Sequence, residues 1–291
     1  MQNSQPMTFV VAVSTNGNAR PSLSLVAESD TPRTAPYACL GTPQPRDILE
    51  KNFLKSPCLC DTHPRQVLLQ ENFTSAALAY NDAIDKSVND LIVFCHQDIF
   101  FPDAWVSQLQ AAIRYLESHY PKWGVLGCSG TTRDGDYRGY VYSLGVGYIG
   151  KPSEPAEVQT LDEIVLIMRK SSGLRFDETL PHFHLYGADI CLRAAMQGMK
   201  SYAISAFCVH NTNMDYRLSD EFYEGCEHIR RRWKELLPIQ TTCIRITKVN
   251  MPIYWRRFRE RCLRYIRSRK QHKVTRVSDV KRLFEELSLG M

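Results

Sequence analysis

The chain has 291 residues, is 44% hydrophobic and 23% charged, and carries a formal net charge of +5. That composition excludes a disordered or fibrous chain, and the length is enough for a large core without disulfide or metal staples. The positive charge belongs to the end of the chain: from Met251 to Met291 twelve Arg and Lys stand against four Asp and Glu, so the first 250 residues are net acidic. Ten cysteines are scattered through the sequence, and Cys58-Leu59-Cys60 lacks the gap and the second half-site of a zinc knuckle. They read as reduced core thiols in a reducing compartment. Met1 to Val13 has no basic leader, and no apolar run reaches the roughly 18 residues of a membrane span. The expected location is cytoplasmic, with peripheral attachment to the inner face of the plasma membrane open.

In chain order, Thr8–Val13 is a β-branched run that predicts a buried first strand. The Pro-, Ser- and Thr-rich stretch 14–64 offers only short candidate strands at Leu23–Val26 and Tyr37–Leu40. Val67–Leu69 reads as a strand, and Thr74 or Ser75 as the cap of a helix through Ala76–Ile84. Leu91–Cys95 is an uninterrupted apolar strand of the kind buried on both faces, ending at His96-Gln97-Asp98. Pro102-Asp103 opens a helix with Trp105, Leu109, Ile113 and Leu116 on one face.

Gly124–Cys128 predicts another buried strand, and 134–150 a hairpin or loop rich in Gly and Tyr. Val158–Leu161 and Ile164–Met168 read as two strands around Asp162-Glu163. Asp189–Met199 reads as a helix closing at Gly198, Tyr202–Val209 as the last strand of the body, and 219–237 as a polar helix. Strands alternating with helices predict an α/β fold.

Ligands gather at the carboxyl ends of strands in open α/β sheets, and Asp98 directly follows the most apolar strand. A carboxylate there, with His96 two residues earlier on the same side of an extended chain, can reach a divalent metal holding a diphosphate. The plainer reading is a helix cap or surface turn.

Ala79-Tyr80-Asn81-Asp82-Ala83-Ile84 followed by Asp90 to Asp98 resembles the core of family-2-type glycosyltransferases, in which an Asn-bearing helix leads to a strand ending in Asp-x-Asp. The His-Gln-Asp form resembles a bacterial branch associated with surface polysaccharide, and His96 in place of the first Asp is a departure from the family pattern. Gly173-Leu174-Arg175-Phe176-Asp177-Glu178, the stretch Phe183 to Ala194, Gly198-Met199-Lys200 and Val209-His210 match later family segments in order.

The resemblance implies a GT-A fold over residues 1–245, a mostly parallel mixed sheet flanked by helices, with 246–291 as a basic helical tail. It implies a metal-dependent transferase of the hexosyltransferase type, using Mn2+ or Mg2+ and a nucleotide-diphosphate sugar, UDP being the usual base. The acceptor would be a glycan or lipid-linked sugar in surface polysaccharide synthesis. Asp189 matches the family's general base for an inverting displacement. Asp98 and His210 match metal ligands, and Asn81, His96, Gln97 and His184 are candidate donor contacts. Ser14, Thr15 and Glu28 are candidate nucleotide contacts by nearness to the first strand, and Asp162 and Glu163 face the same cleft.

The alternative is a non-catalytic module of the same fold that binds a sugar nucleotide or serves in assembly. Within 252–270, aromatic residues recur at helical spacing among arginines, as in helices at an anionic membrane surface. Such a helix can equally dock on the body with its arginines solvated. No nucleic-acid recognition module accompanies it.

Overall fold

The computed structural model describes residues 5–13, 45–59, 65–213, 218–249, 251–266 and 274–289. The candidate strands at Leu23–Val26 and Tyr37–Leu40 lie outside them. Described elements begin with β1 (Met7–Val13), α1 (Pro45–Lys51), β2 (Arg65–Glu71), α2 (Ala76–Lys86), β3 (Leu91–His96) and β4 (Ile99–Phe100). They continue with α3 (Trp105–His119), β5 (Trp123–Gly127), β6 (Ser129–Thr131), β7 (Tyr137–Ser143) and β8 (Gly147–Gly150). Next come β9 (Ala156–Val158), β10 (Thr160–Leu161), β11 (Val165–Arg169), α4 (Tyr186–Met196), β12 (Lys200–Ala203) and β13 (Cys208–His210). The last are α5 (Asp220–Arg232), β14 (Ile239–Gln240), β15 (Arg245–Ile246), α6 (Met251–Ile266) and α7 (Val280–Ser288).

The fold is α/β, with a central mixed sheet in the order β2-β1-β3-β11-β5-β12-β9. β1 runs parallel to both neighbours, β11 is antiparallel to β3 and β5, and β12 is again parallel to β5. The apolar run Leu91–Cys95 is wholly buried because both faces of the sheet are covered. One face packs on α2 and α4 through Tyr80, Ala83, Ile190 and Ala194. The other packs on α1 and α3 through Leu49, Trp105, Leu109, Ile113 and Leu116. Ser75 caps α2 by accepting from the Leu78 N–H, which is worth about 1 kcal/mol at a typical cap.

A second sheet, in the order β10-β6-β7-β13-β4 with β8 on β7, leans against the carboxyl end of the first. It corrects two expectations. Tyr202–Val209 is two strands, β12 in the main sheet and β13 in the second, because the chain crosses between sheets at Ile204–Phe207. Val158–Leu161 likewise divides between β9 and β10. An unbroken apolar run signals burial on both sides but not a change of sheet. The Gly- and Tyr-rich segment is the hairpin β7–β8.

The end of the chain is packed on the body. Ile253 and Glu260 of α6 are buried, Tyr223 donates to Glu260 at 2.8 Å, and Arg257 and Arg261 reach Asp220 of α5. The opposite face of α6 leaves Trp255 66% and Phe258 58% exposed. Among the described residues, no helix is long and apolar enough to cross a membrane.

Candidate metal centre

The two sheets converge where β3 ends. After His96 the chain turns through Gln97 and Asp98 into β4, so both side chains stand at the carboxyl edge of the strand. From the second sheet β13 brings His210 opposite Ile99 of β4 and beside Ser143 of β7. One ligand atom from each of His96, Asp98 and His210 then lies within 4.8 Å of the others.

Neighbouring groups aim the rings. His210 Nε2 is 3.4 Å from Asp98 Oδ1, and its Nδ1 is 3.2 Å from Ser143 Oγ. His96 Nε2 is 3.2 Å from the Tyr186 hydroxyl, which in turn donates to the Glu163 carbonyl at 3.2 Å. The two imidazoles meet edge to face at 5.5 Å. The second oxygen of Asp98 accepts from Arg276 at 2.6 Å.

Asp98 is 5% exposed. Burial alone would raise its pKa, but the charges of His210, His96 and Arg276 more than offset this and hold it far below the usual carboxylate range. Burial, reinforced by His210, lowers the pKa of His96 against the pull of Asp98. An ionised carboxylate beside a neutral imidazole is what a metal requires of its ligands. Two imidazole nitrogens and a carboxylate oxygen suit a divalent first-row ion, so the residues fit the metal that the family resemblance implies.

The cluster separates two cavities. One, about 400 Å3, opens at the end of β1 and is lined by Val13, Tyr80, His96, Gln97, Asp98 and Tyr186. The other, about 590 Å3, is lined by His96, His210, Ser143, Tyr137, Asp162 and Thr242, among others. His96 faces both, and the Gln97 Oε1 atom is buried with no hydrogen-bond partner. A larger hollow of about 720 Å3 between α5 and α6 contains no member of the cluster.

Three expected site residues fall elsewhere. Asp189 does not open α4, which starts three residues earlier behind Leu185 at φ 64°. It is 1% exposed, accepts from Trp233 Nε1 at 2.7 Å and from Arg193 Nε at 2.8 Å, and lines neither cavity. Burial raises its pKa against those two donors. So enclosed, the carboxylate is not brought to either cavity beside the cluster. Asn81 clamps the Phe176–Glu178 segment and does not line either cavity beside the cluster. Its amide donates to the Phe176 carbonyl and Glu178 while its oxygen accepts from the Phe176 N–H.

His184 lies within 3.1 Å of Ser219 Oγ and against the ring of Phe222, at the start of α5 rather than in the cluster. Ser14, Thr15 and Glu28 lie outside the described residues.

Asp162 is the carboxylate brought to the second cavity. Its oxygens accept from the Thr242 hydroxyl at 2.7 Å and the Ile164 N–H at 3.1 Å. Gly187 lets α4 approach this corner, since a Cβ there would sit 2.7 Å from the Leu161 carbonyl. Ser143, Tyr186 and Arg276 were not anticipated as neighbours of the cluster. Arg276 is one of twelve basic residues near the chain end, and spacing alone gives no reason to single it out.

No family model matches the chain. A protein of Fuscovulum blasticum, "ATP synthase subunits region ORF 6", is 33% identical over 154 residues, which span half of this chain and 61% of that relative. Among solved structures, a mannosyltransferase from Pyrobaculum calidifontis in complex with GDP-Man and Mn2+ overlaps 79% of this chain and 64% of its own, at TM-score 0.41 and 12% identity. TarS 1-349 of S. aureus with UDP-GlcNAc overlaps 82% and 68%, also at 0.41 and 12%. GalNAc-T7 with UDP, GalNAc and Mn2+ overlaps 62% and 40%, at 0.43 and 12%. Overlaps this loose carry no functional weight.

Proposed function

We propose that this chain is a glycosyltransferase of the GT-A type, moving a sugar from a nucleoside-diphosphate donor to a hydroxyl of a glycan or lipid-linked acceptor. The observation that carries the reading is the His96–Asp98–His210 cluster at the carboxyl edge of β3, set between two cavities. His96, Asp98 and His210 would hold the metal, and two imidazoles favour Mn2+ over Mg2+, which prefers oxygen ligands. A divalent ion there supplies Lewis-acid neutralisation of the leaving diphosphate.

The cavity at the end of β1 suits the nucleotide, because ligands in open α/β sheets sit beyond the strand ends. Gln97 lines that cavity, and its buried Oε1 has no partner in the fold. The second cavity suits the acceptor. There Asp162 takes the proton from the acceptor hydroxyl as its oxygen bonds to the anomeric carbon. The sugar–phosphate bond breaks on the opposite face, and the diphosphate leaves with the bonding pair. This is a single displacement with inversion. Asp189 supports it indirectly, by tying α4 to Trp233 at the end of α5.

The exposed face of α6, with Tyr254, Trp255 and Phe258 beside the exposed Arg259, suits contact with an anionic membrane surface presenting a lipid-linked acceptor.

The test is release of nucleoside diphosphate from a panel of nucleotide sugars, UDP donors first, with Mn2+ present. Release from one donor, abolished in Asp98→Asn, is the expected result. No release and no nucleotide binding across the panel would overturn the reading.

A further inference from the structure

The metal cluster is closed by a residue from near the end of the chain. Arg276 donates to Asp98 Oδ2 at 2.6 Å, across 178 residues of sequence. Main-chain contacts put it there. The Arg276 N–H donates to Asn213 Oδ1 at 2.8 Å, and Asn211 pairs with the Val277 N–H and carbonyl, both at 2.9 Å. The Asn211 N–H itself donates to the Asp98 carbonyl at 2.9 Å, so one asparagine ties the strap to the backbone of the metal ligand. Beyond the strap, Asp279 caps α7, and Val280 with Leu283, Phe284 and Leu287 packs on Phe100, Phe207 and Val209 of the second sheet.

Arg276 is incompletely used where it stands. Its Nε is buried with no acceptor, although buried donors are nearly always paired. A guanidinium is a planar fork matched to two oxygens of a phosphate as well as to a carboxylate. It also repels a cation, so while it holds Oδ2 it weakens metal binding at Asp98, whose Oδ1 faces His210. Diphosphate oxygens bound beside the metal would relieve that repulsion and supply an acceptor for its unpaired Nε.

We propose that Arg276 is a ligand of the donor diphosphate carried on a C-terminal strap, parked on Asp98 until metal and diphosphate arrive. The inference rests on the glycosyltransferase reading of the site. It assigns a residue of the basic chain end to the donor site.

Exchange of partners predicts effects of opposite sign. Without nucleotide, Arg276→Gln binds Mn2+ more tightly than wild type, by roughly tenfold, because a competitor for Asp98 is gone. With Mn2+ saturating, the same variant binds inorganic pyrophosphate more weakly, by roughly tenfold, because a charged donor to phosphate is gone. Arg276→Lys recovers part of the pyrophosphate affinity through its charge. Free Mn2+ is followed by electron paramagnetic resonance and pyrophosphate by calorimetry, with circular dichroism confirming the fold and Asp98→Asn as the metal-site control.

A purely structural arginine would weaken both ligands or neither. Any pattern other than opposite signs overturns the inference, and leaves the reading of the site intact if Asp98→Asn abolishes Mn2+ binding. If the wild type binds no Mn2+, the reading of the site fails and the inference fails with it.

Discussion

Two buried acids, Asp98 and Asp189, each sit among cationic partners, yet their surroundings differ. Around Asp189 both carboxylate oxygens are held by the fold. Trp233 and Arg193 hold its two oxygens, and Arg193 also reaches Asp177 at 2.6 Å, which accepts from the Thr179 N–H and hydroxyl. The network joins α4, α5 and the Phe176–Glu178 segment, and lines neither cavity beside the cluster. Around Asp98 the groups leave chemistry open. Cavities lie on both sides, and Gln97 Oε1 and Arg276 Nε have no partner. A carboxylate whose two oxygens are both held by the fold serves packing, while one gathered with two imidazoles between cavities marks where a ligand completes the set.

Exchanging the fates of the two acids tests this difference most severely. Asp98→Asn should cost turnover on the order of 10²–10³-fold in a protein that still folds, measured by steady-state kinetics and circular dichroism. Asp189→Ala should do the reverse to the fold. Removing one partner of a buried ion pair costs about 3–5 kcal/mol, nearer the lower figure here because Arg193 keeps 23% exposure. Loss of activity in Asp189→Ala with an unchanged Tm would return it to the chemistry.

A smaller effect is expected at the acceptor cavity. Asp162→Asn should lower kcat by about 10²-fold, in the usual range for a lost general base, with donor affinity unchanged. A change confined to donor affinity would remove Asp162 from the proton's path.

Stability against pH sharpens the contrast from a third acid. Burial, then the charge of Asp162, pushes Glu163 up to about 8 from its ordinary 4.5, against backbone donors at Leu185, Gly187 and Tyr186. A folded-state pKa above the unfolded one means that folding favours the protonated form. The contribution is full below about pH 4.5 and is lost as pH rises through about 8. Glu163→Gln should therefore gain in Tm relative to wild type between pH 5 and pH 9, and a constant difference would contradict the shift. The smallest effect belongs to α6. Trp255→Ser with Phe258→Ser should lower co-sedimentation with anionic vesicles a few-fold, and equal partitioning would remove the membrane from the proposal.

The elements that place Asp98 could be read from the sequence because local chemistry dictates them. Leu91–Cys95 can only be a buried segment, and Ser75 is a side chain that satisfies a helix start. The meeting of His96 with His210 followed only from the family resemblance, since no local pattern brings positions 96 and 210 together. The placing of Asn81 and Asp189 away from the cluster could not be read from the sequence, for a physical reason. The side chain that completes a hydrogen-bond network and the one that touches a substrate are the same residue type, and only burial separates them. Arg276 could not be singled out, because its selection depends on Asn211 and Asn213 capturing the backbone of a distant strap.

The most direct measurement is thermal stabilisation of wild type and Asp98→Ala by a panel of nucleoside diphosphates, with and without Mn2+. At about 100 times its dissociation constant a ligand adds about 2.7 kcal/mol, a rise of roughly 5 °C or more for a chain of this size. The expected result is such a rise with one nucleotide, dependent on Mn2+ and absent in Asp98→Ala. A rise independent of both Mn2+ and Asp98, or none with any nucleotide, would contradict a metal-assisted donor site at His96, Asp98 and His210.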